Sequence, residues 1–132
     1  SGHPVAAAVA LANLDLIEGE NMIETVRDDT GPYFASALAS LADHRLVGEV
    51  RTFGLLAAIE LVKSKDGPVM FEDTGTVGGM CRDHAIQRGL MMRAVRDAMI
   101  LSPALSYTRA DIDETVAIAR KALDATATDL GL

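Results

Sequence analysis

Two arginines, Arg93 and Arg96, lie three positions apart in the otherwise apolar segment "RGLMMRAVRDAMILSPAL", residues 88–105. An unpaired guanidinium is costly to bury, so these side chains either point outward from strand edges or meet an acidic group. Alternation along a strand places Arg93 among apolar side chains, whereas Arg96 stands next to Asp97 in a predicted turn. The planar fork of arginine suits the capture of a carboxylate at two points. Arg93 is therefore a candidate for binding an acidic ligand, with an outward-pointing side chain at a sheet edge as the alternative. For Arg96 we expect a weak ion pair with Asp97.

The other chemically capable residues give weaker signals. Cys81 and His84 are three apart on a predicted helix and could face one metal ion, but His3 and His44 have no spacing that completes a site. Because a structural zinc site needs four ligands, we expect no metal site and interpret the pair as a buried thiol and a surface histidine. The segment "GTVGG", residues 75–79, matches no phosphate-binding fingerprint and is interpreted as a flexible lead-in to a helix.

Covalent catalysis has no support in the sequence. No serine lies in a motif that places a base beside it. Two of the lysines belong to a predicted turn and the third to a helix with acidic neighbours, so none is desolvated enough to form a Schiff base. These lysines are Lys63, Lys65 and Lys121. We therefore expect no catalytic residue in this chain.

Composition limits the class of protein. The 132 residues suit one compact domain, and 49% of them are apolar, so a core can be buried. A net charge of −7 argues against a nucleic-acid partner and against an anionic membrane surface. The apolar runs are too short for a membrane helix, and no signal peptide opens the chain. A single cysteine permits no internal disulfide, which fits the cytoplasm.

The hydrophobic pattern predicts an α+β domain, with helices packed on a small sheet in the order ααββαββα. The predicted helices cover residues 4–18, 20–43 with an interruption at Gly31-Pro32, 75–88, and a last helix opened by a capping box from Thr108 to Asp111; the predicted strands lie within 46–62, on either side of Gly54, and at 90–95 and 98–101. The first helix is apolar on nearly every face, although a surface helix shows one apolar stripe. It therefore indicates a missing partner or domain.

Four segments appear in an order that identifies a family: "SGHPVAAAVALANLDLIE", "VRTFGLLAAIELV", "RGLMMRAVRDAMILSPAL" and "TRADIDETVAIARKAL". Together they resemble the C-terminus of class III pyridoxal-phosphate-dependent aminotransferases, most of all the branch that moves amino groups from amines or ω-amino acids to pyruvate. The resemblance runs from Ser1 to about Leu123. It implies that residues 1–132 are the small C-terminal domain of a longer fold-type I enzyme.

The resemblance also implies partners and a cofactor. Such enzymes are homodimers whose active sites lie between large and small domains and across the subunit interface. The lysine that holds pyridoxal 5′-phosphate belongs to the large domain, upstream of this sequence, so this chain alone is expected to be inactive and to bind no cofactor by itself.

Within that family the resemblance gives Arg93 a role. In the amine–pyruvate branch, an arginine ten residues before the strand-ending proline pairs with the substrate α-carboxylate, and Arg93 stands ten before Pro103. In the ornithine-type branch the arginine stands three before the proline, where this chain has Ile100. The implied substrates are an amine and a keto acid, and a different class III substrate, such as a diamine, is a rival interpretation. The rival interpretation, from a different class, is a free-standing binding or interaction domain without the chemistry.

Overall fold

The computed structural model describes residues 2–67 and 69–132 and shows the predicted α+β order. The helices are α1 (Pro4–Gly19), α2 (Met22–Thr25), α3 (Gly31–Ala39), α4 (Thr76–Gln87) and α5 (Arg109–Asp129). The strands are β1 (Val47–Phe53), β2 (Leu56–Leu61), β3 (Arg93–Val95) and β4 (Ala98–Leu101). A π-helical turn (Val26–Thr30) joins α2 to α3, and a 3₁₀ turn (Ser40–Asp43) follows α3.

The interruption predicted at Gly31-Pro32 takes the form of this π-helical turn. Proline has no N–H to donate within a helix, so the ladder of hydrogen bonds must change where it enters. The N–H of Gly31 reaches back five residues to the carbonyl oxygen of Val26. The chain thus stays helical through the interruption instead of breaking.

The four strands form one antiparallel sheet in the order β1-β2-β4-β3. Gly54 makes the predicted tight bend between β1 and β2 with φ of 56°, a left-handed value that favours glycine. β3 is an edge strand that pairs only with β4 in this sheet. The C-terminal helix α5 begins with the predicted capping box: the Asp111 N–H donates to the Thr108 side chain, and the Thr108 N–H donates to the Asp111 carboxylate at 2.8 Å.

One face of the sheet is covered by helices, and the core lies between the two layers. Its largest fully buried side chains come from α3, α5, the strands and the segments that flank them. They include Phe34, Leu38, Ile59, Met92, Met99, Ile112 and Leu123. Because helices cover only one face, residues of the opposite face remain exposed in the described parts of the chain.

The prediction of a strand over residues 90–95 is wrong in its length, because the observed strand β3 covers only Arg93–Val95. Only Arg93–Val95 pair with β4, and the ladder ends at the pair Arg93 and Ile100. Leu90 instead donates its N–H to the carbonyl of Ala85 and closes the end of α4. β3 therefore begins only at Arg93, and the residues before it lead out of the end of α4.

The first helix has no buried residue, in agreement with its apolar pattern on several faces. Val5, Val9 and Leu11 each keep 63% of their surface exposed. Across the described ranges no helix combines the length and apolarity needed to cross a bilayer. Helix α1 thus presents apolar surface that the described chain does not cover.

A buried histidine gives the fold a pH dependence. His44 follows the 3₁₀ turn, its Nδ1 accepts the N–H of Leu46 at 3.2 Å, and its Nε2 lies 3.3 Å from the Asp124 carboxylate. Burial lowers the pKa of His44 below its ordinary value of 6.5, and Asp124 offsets only part of that effect. Arg120 and Asp43 are the other charged groups that act on it.

We therefore expect His44 to lose its stabilising contribution as the pH falls from 7 through 6.5 and below, because the unfolded chain takes up the proton first. His44→Asn keeps an acceptor but cannot titrate in this range. The measurement is the thermal midpoint of the full-length protein and of this variant between pH 7.5 and 5. The difference in thermal midpoint between the two proteins should narrow as the pH falls. A difference that stays constant or widens would contradict the stabilising role of neutral His44.

Candidate functional site

The uncovered face of the sheet carries a row of four side chains, one from each strand. The pairings Arg51 with Ala58, Ala58 with Ile100, and Ile100 with Arg93 put them in register across the sheet. Directly paired residues of antiparallel strands point to the same face. The row therefore places one arginine at each edge of the sheet.

These two arginines have different surroundings. Arg51 contacts the carboxylates of Glu49, at 2.5 Å, and Glu60, at 3.1 Å, which raise the pKa of its guanidinium further. The side chain of Arg93 is exposed and makes no hydrogen bond or ion pair among residues 2–67 and 69–132. Of the two, only Arg93 has its full hydrogen-bonding capacity free for a ligand.

The side chains around Arg93 are apolar. Met91 and Val95, two positions away on the same side of the chain, are 82% and 45% exposed, and Ile100 faces Arg93 across the β3–β4 pair. The immediate neighbours of the guanidinium on this face therefore offer it no side-chain hydrogen-bond acceptor. The arrangement suits a ligand with a carboxylate for Arg93 and an apolar part for the surrounding surface. The predicted alternation of Arg93 with buried Met92 is confirmed.

The expected ion pair between Arg96 and Asp97 is wrong. Asp97 is only 2% exposed, and its carboxylate turns into the protein, where it accepts the N–H groups of Gly75 at 3.0 Å and Gly78 at 2.9 Å. Arg96 adopts φ of 55° in the turn between β3 and β4 and stays exposed. A buried carboxylate gains more from two N–H donors at the start of a helix than from a solvated arginine.

The segment "GTVGG" is also more than a flexible lead-in. Gly78 packs so closely against the β3–β4 turn that a Cβ atom there would lie 2.1 Å from the carbonyl oxygen of Arg96. This contact was not predicted from the sequence. The signal that could have predicted it is the glycines before and within the first turn of the helix, because glycine permits another backbone segment to approach closely.

Cys81 and His84 take separate structural roles. Cys81 is fully buried, and burial raises the pKa of its thiol to about 11. The Nε2 of His84 lies 2.7 Å from the Asp129 carboxylate on α5. Among the residues the structure describes, no group of three histidine, cysteine or acidic side chains is placed to hold a metal ion.

The lysines are placed on the surface. Lys63 lies 3.3 Å from the Glu72 carboxylate with 54% of its side chain exposed. Lys65 donates to the carbonyl of Ala42, and Lys121 is exposed on α5. None is held in an apolar site, so the described residues do not fit the attachment of a carbonyl cofactor.

The sequence model of class-III aminotransferases matches residues 1–123. The chain belongs to the class-III aminotransferase family. The resemblance seen in the four sequence segments is thereby confirmed, and the α+β fold agrees with solved transaminases. A transaminase solved with L-ala is 39% identical and superposes with a TM-score of 0.92, covering 100% of this chain and 30% of that one.

Other class-III relatives extend the comparison. The putrescine–pyruvate aminotransferase of Pseudomonas aeruginosa is 52% identical over 127 residues, which cover 96% of this chain and 28% of that protein. The omega transaminase from Pseudomonas jessenii, solved in complex with PMP, is 38% identical with a TM-score of 0.91, covering 98% of this chain and 28% of that one. This aminotransferase chain thus spans less than a third of the length of the relatives it matches.

Proposed function

We propose that this chain is the small, C-terminal domain of a longer pyridoxal-phosphate-dependent enzyme that moves an amino group from an amine or ω-amino acid to pyruvate or a similar keto acid. The observation that carries the reaction is the 52% identity to a putrescine–pyruvate aminotransferase over nearly the whole chain. That relative also favours a diamine as a specific candidate for the donor. The chain spans 28% of that relative, which supports a large domain beyond it.

The cofactor chemistry belongs to the rest of the protein in this proposal. Pyridoxal phosphate, when bound, supplies an electron sink that accepts and then gives up the amino group. The surface lysines of this chain do not fit its attachment, so the lysine and the residues that hold the phosphate lie in the large domain. What this chain contributes is recognition of the substrate.

Arg93 is the residue we assign to the substrate carboxylate. Its exposed guanidinium is free of partners among the described residues and stands among Met91, Val95 and Ile100. A hydrogen bond to a charged group contributes about 1.5–3 kcal/mol, and a carboxylate can take two from one guanidinium. The apolar side chains beside it supply contact for the carbon chain of an amine that has no carboxylate.

The uncovered surfaces support the proposed partners. Helix α1 has no buried residue, and a groove of about 610 Å³ lies beside the exposed Phe53 at the end of β1. Exposed apolar area of this kind is typical of a surface that another domain or subunit covers. We assign it to the large domain of the same protein and to a second copy in a homodimer. The lone buried cysteine fits our placement of the enzyme in the cytoplasm.

The test is the intact mass of the native product that carries this sequence, isolated from its source cells. The proposal predicts a product several times heavier than the 13.9 kDa of this chain. A native product of about this size would favour the alternative, a free-standing binding domain without catalysis. In that case α1 should be covered in the native protein, whereas in a severed domain its apolar surface should make the chain self-associate.

A further inference from the structure

The turn between β3 and β4 is fixed to the rest of the domain by a buried carboxylate. Both oxygens of Asp97 are used, Oδ1 by the N–H of Gly78 and Oδ2 by the N–H of Gly75, at the start of the 12-residue helix α4. The main chain is held as well, because the carbonyl of Asp97 accepts the N–H of Leu61 at 2.9 Å. The turn is thus attached to α4 and to β2 at once.

The close packing of the turn leaves no freedom to slide along α4. The carbonyl oxygen of Arg96 occupies the space where a side chain on Gly78 would begin. Arg96 itself has the left-handed φ of 55°, a conformation that is unfavourable for a residue with a side chain. The contacts of Asp97 on both sides of the turn offset that cost.

The position of Arg93 depends on how Asp97 fixes the turn, because Arg93 lies in the short strand that enters it. It is the first residue of a three-residue edge strand, four positions before Asp97. On its other side the strand is held by the buried Met92, through apolar packing that has no direction. The hydrogen bonds of Asp97 are directional, so they set the position of the hairpin along α4.

We propose that Asp97 is a positioning residue for Arg93: by fixing the β3–β4 turn on α4, it presents the guanidinium of Arg93 where a substrate carboxylate can accept two of its N–H groups. The inference rests on the proposed role of Arg93. Two-point recognition tolerates displacements of only about 0.5 Å, so a loosened turn weakens it while other contacts persist.

The test is Asp97→Asn in the full-length enzyme, which keeps the shape of the side chain but turns an amide toward one of the two N–H donors. We expect the KM for pyruvate to rise about tenfold, with the KM for the amine donor changed less than about twofold. The matched control is Asp111→Asn, which damages the cap that Asp111 forms with Thr108 at the start of α5. It should lower the thermal midpoint without changing the ratio of the two KM values.

If Asp97→Asn alone does not fold, the same comparison is made in a Gly79→Ala background, since no atom lies within 4 Å of the added methyl group and alanine favours the helix. Equal changes in both KM values, or an unchanged KM for pyruvate, would overturn the inference.

A double variant separates this inference from the proposed function. In an Arg93→Ala background, Asp97→Asn should add no further rise in the KM for pyruvate, because the residue it positions is gone. A rise that persists in full would show that Asp97 acts on something else and overturn its role. An Arg93→Ala enzyme with unchanged pyruvate kinetics would instead overturn the proposed function of Arg93.

Discussion

Replacing Arg93 with alanine in the full-length enzyme is expected to lower kcat/KM for pyruvate by about 10- to 150-fold, which corresponds to about 1.5–3 kcal/mol of lost binding. Most of the change should appear in KM, because the carboxylate is held in both the ground state and the transition state. Turnover of an amine donor that has no carboxylate should change far less. Steady-state kinetics with each substrate varied in turn measures both effects.

Two further variants sharpen this result. Arg93→Lys keeps the positive charge but loses the planar fork, so its KM for pyruvate should lie between those of the wild type and Arg93→Ala. Arg96→Ala removes the neighbouring exposed arginine from the turn and should leave the KM for pyruvate unchanged. Pyruvate kinetics that are unaffected by Arg93→Ala, or equally impaired by Arg96→Ala, would remove Arg93 from the site.

Among substitutions that add one methyl group near the site in the described chain, Gly78→Ala is expected to be the most destabilising. The new Cβ would lie 2.1 Å from the carbonyl oxygen of Arg96 and 3.1 Å from the Cα of Asp97, so the β3–β4 turn must move away from α4. That movement also strains the hydrogen bond from the Gly78 N–H to Asp97. Overpacking together with a weakened charged hydrogen bond is expected to cost about 3 kcal/mol or more.

The next residue provides the control. Gly79 lies in the same helix, and a Cβ added there meets nothing within 4 Å. Gly79→Ala should therefore raise stability by about 0.5–1 kcal/mol, since alanine is the better helix former. The thermal midpoints of the two full-length variants should move in opposite directions. A Gly78→Ala protein as stable as the wild type would contradict the close packing of the turn.

Much of the fold was predictable because its signals are local. The capping box from Thr108 to Asp111, the bend at Gly54 and the apolar faces of α1 each depend on residues within a few positions of one another. The alternation that sets Arg93 on the face opposite the buried Met92 is local too, and it is confirmed. Such features do not require knowledge of what packs against them.

The hydrogen bonds by which Asp97 fixes the β3–β4 turn on α4 were not predictable in the same way. Asp97 and Gly78 are 19 positions apart, and only the folded chain shows that the carboxylate meets the start of α4 instead of the adjacent Arg96. The length of β3 likewise depends on the folded chain, because Leu90 closes the end of α4 instead of continuing the strand. Their adjacency in sequence predicts an ion pair between Arg96 and Asp97. Burial of the Asp97 carboxylate instead favours the position in which it accepts two N–H groups.

The proposed substrate role of Arg93 lies between these cases. Its strand and its face follow from the sequence, and its position before Pro103 carries the family resemblance. Its freedom from partners is a property of the tertiary structure, because Arg51, on the same face, is paired with two carboxylates. Sequence alone does not distinguish a paired arginine from an unpaired one.

The proposed amino transfer is tested by measuring the formation of alanine from pyruvate and an amine by the purified native product that carries this sequence. We expect alanine to form, with a clear preference for pyruvate over propanal, an acceptor of similar size without a carboxylate. No amino transfer to any keto acid, by a folded product supplied with pyridoxal phosphate, would contradict it.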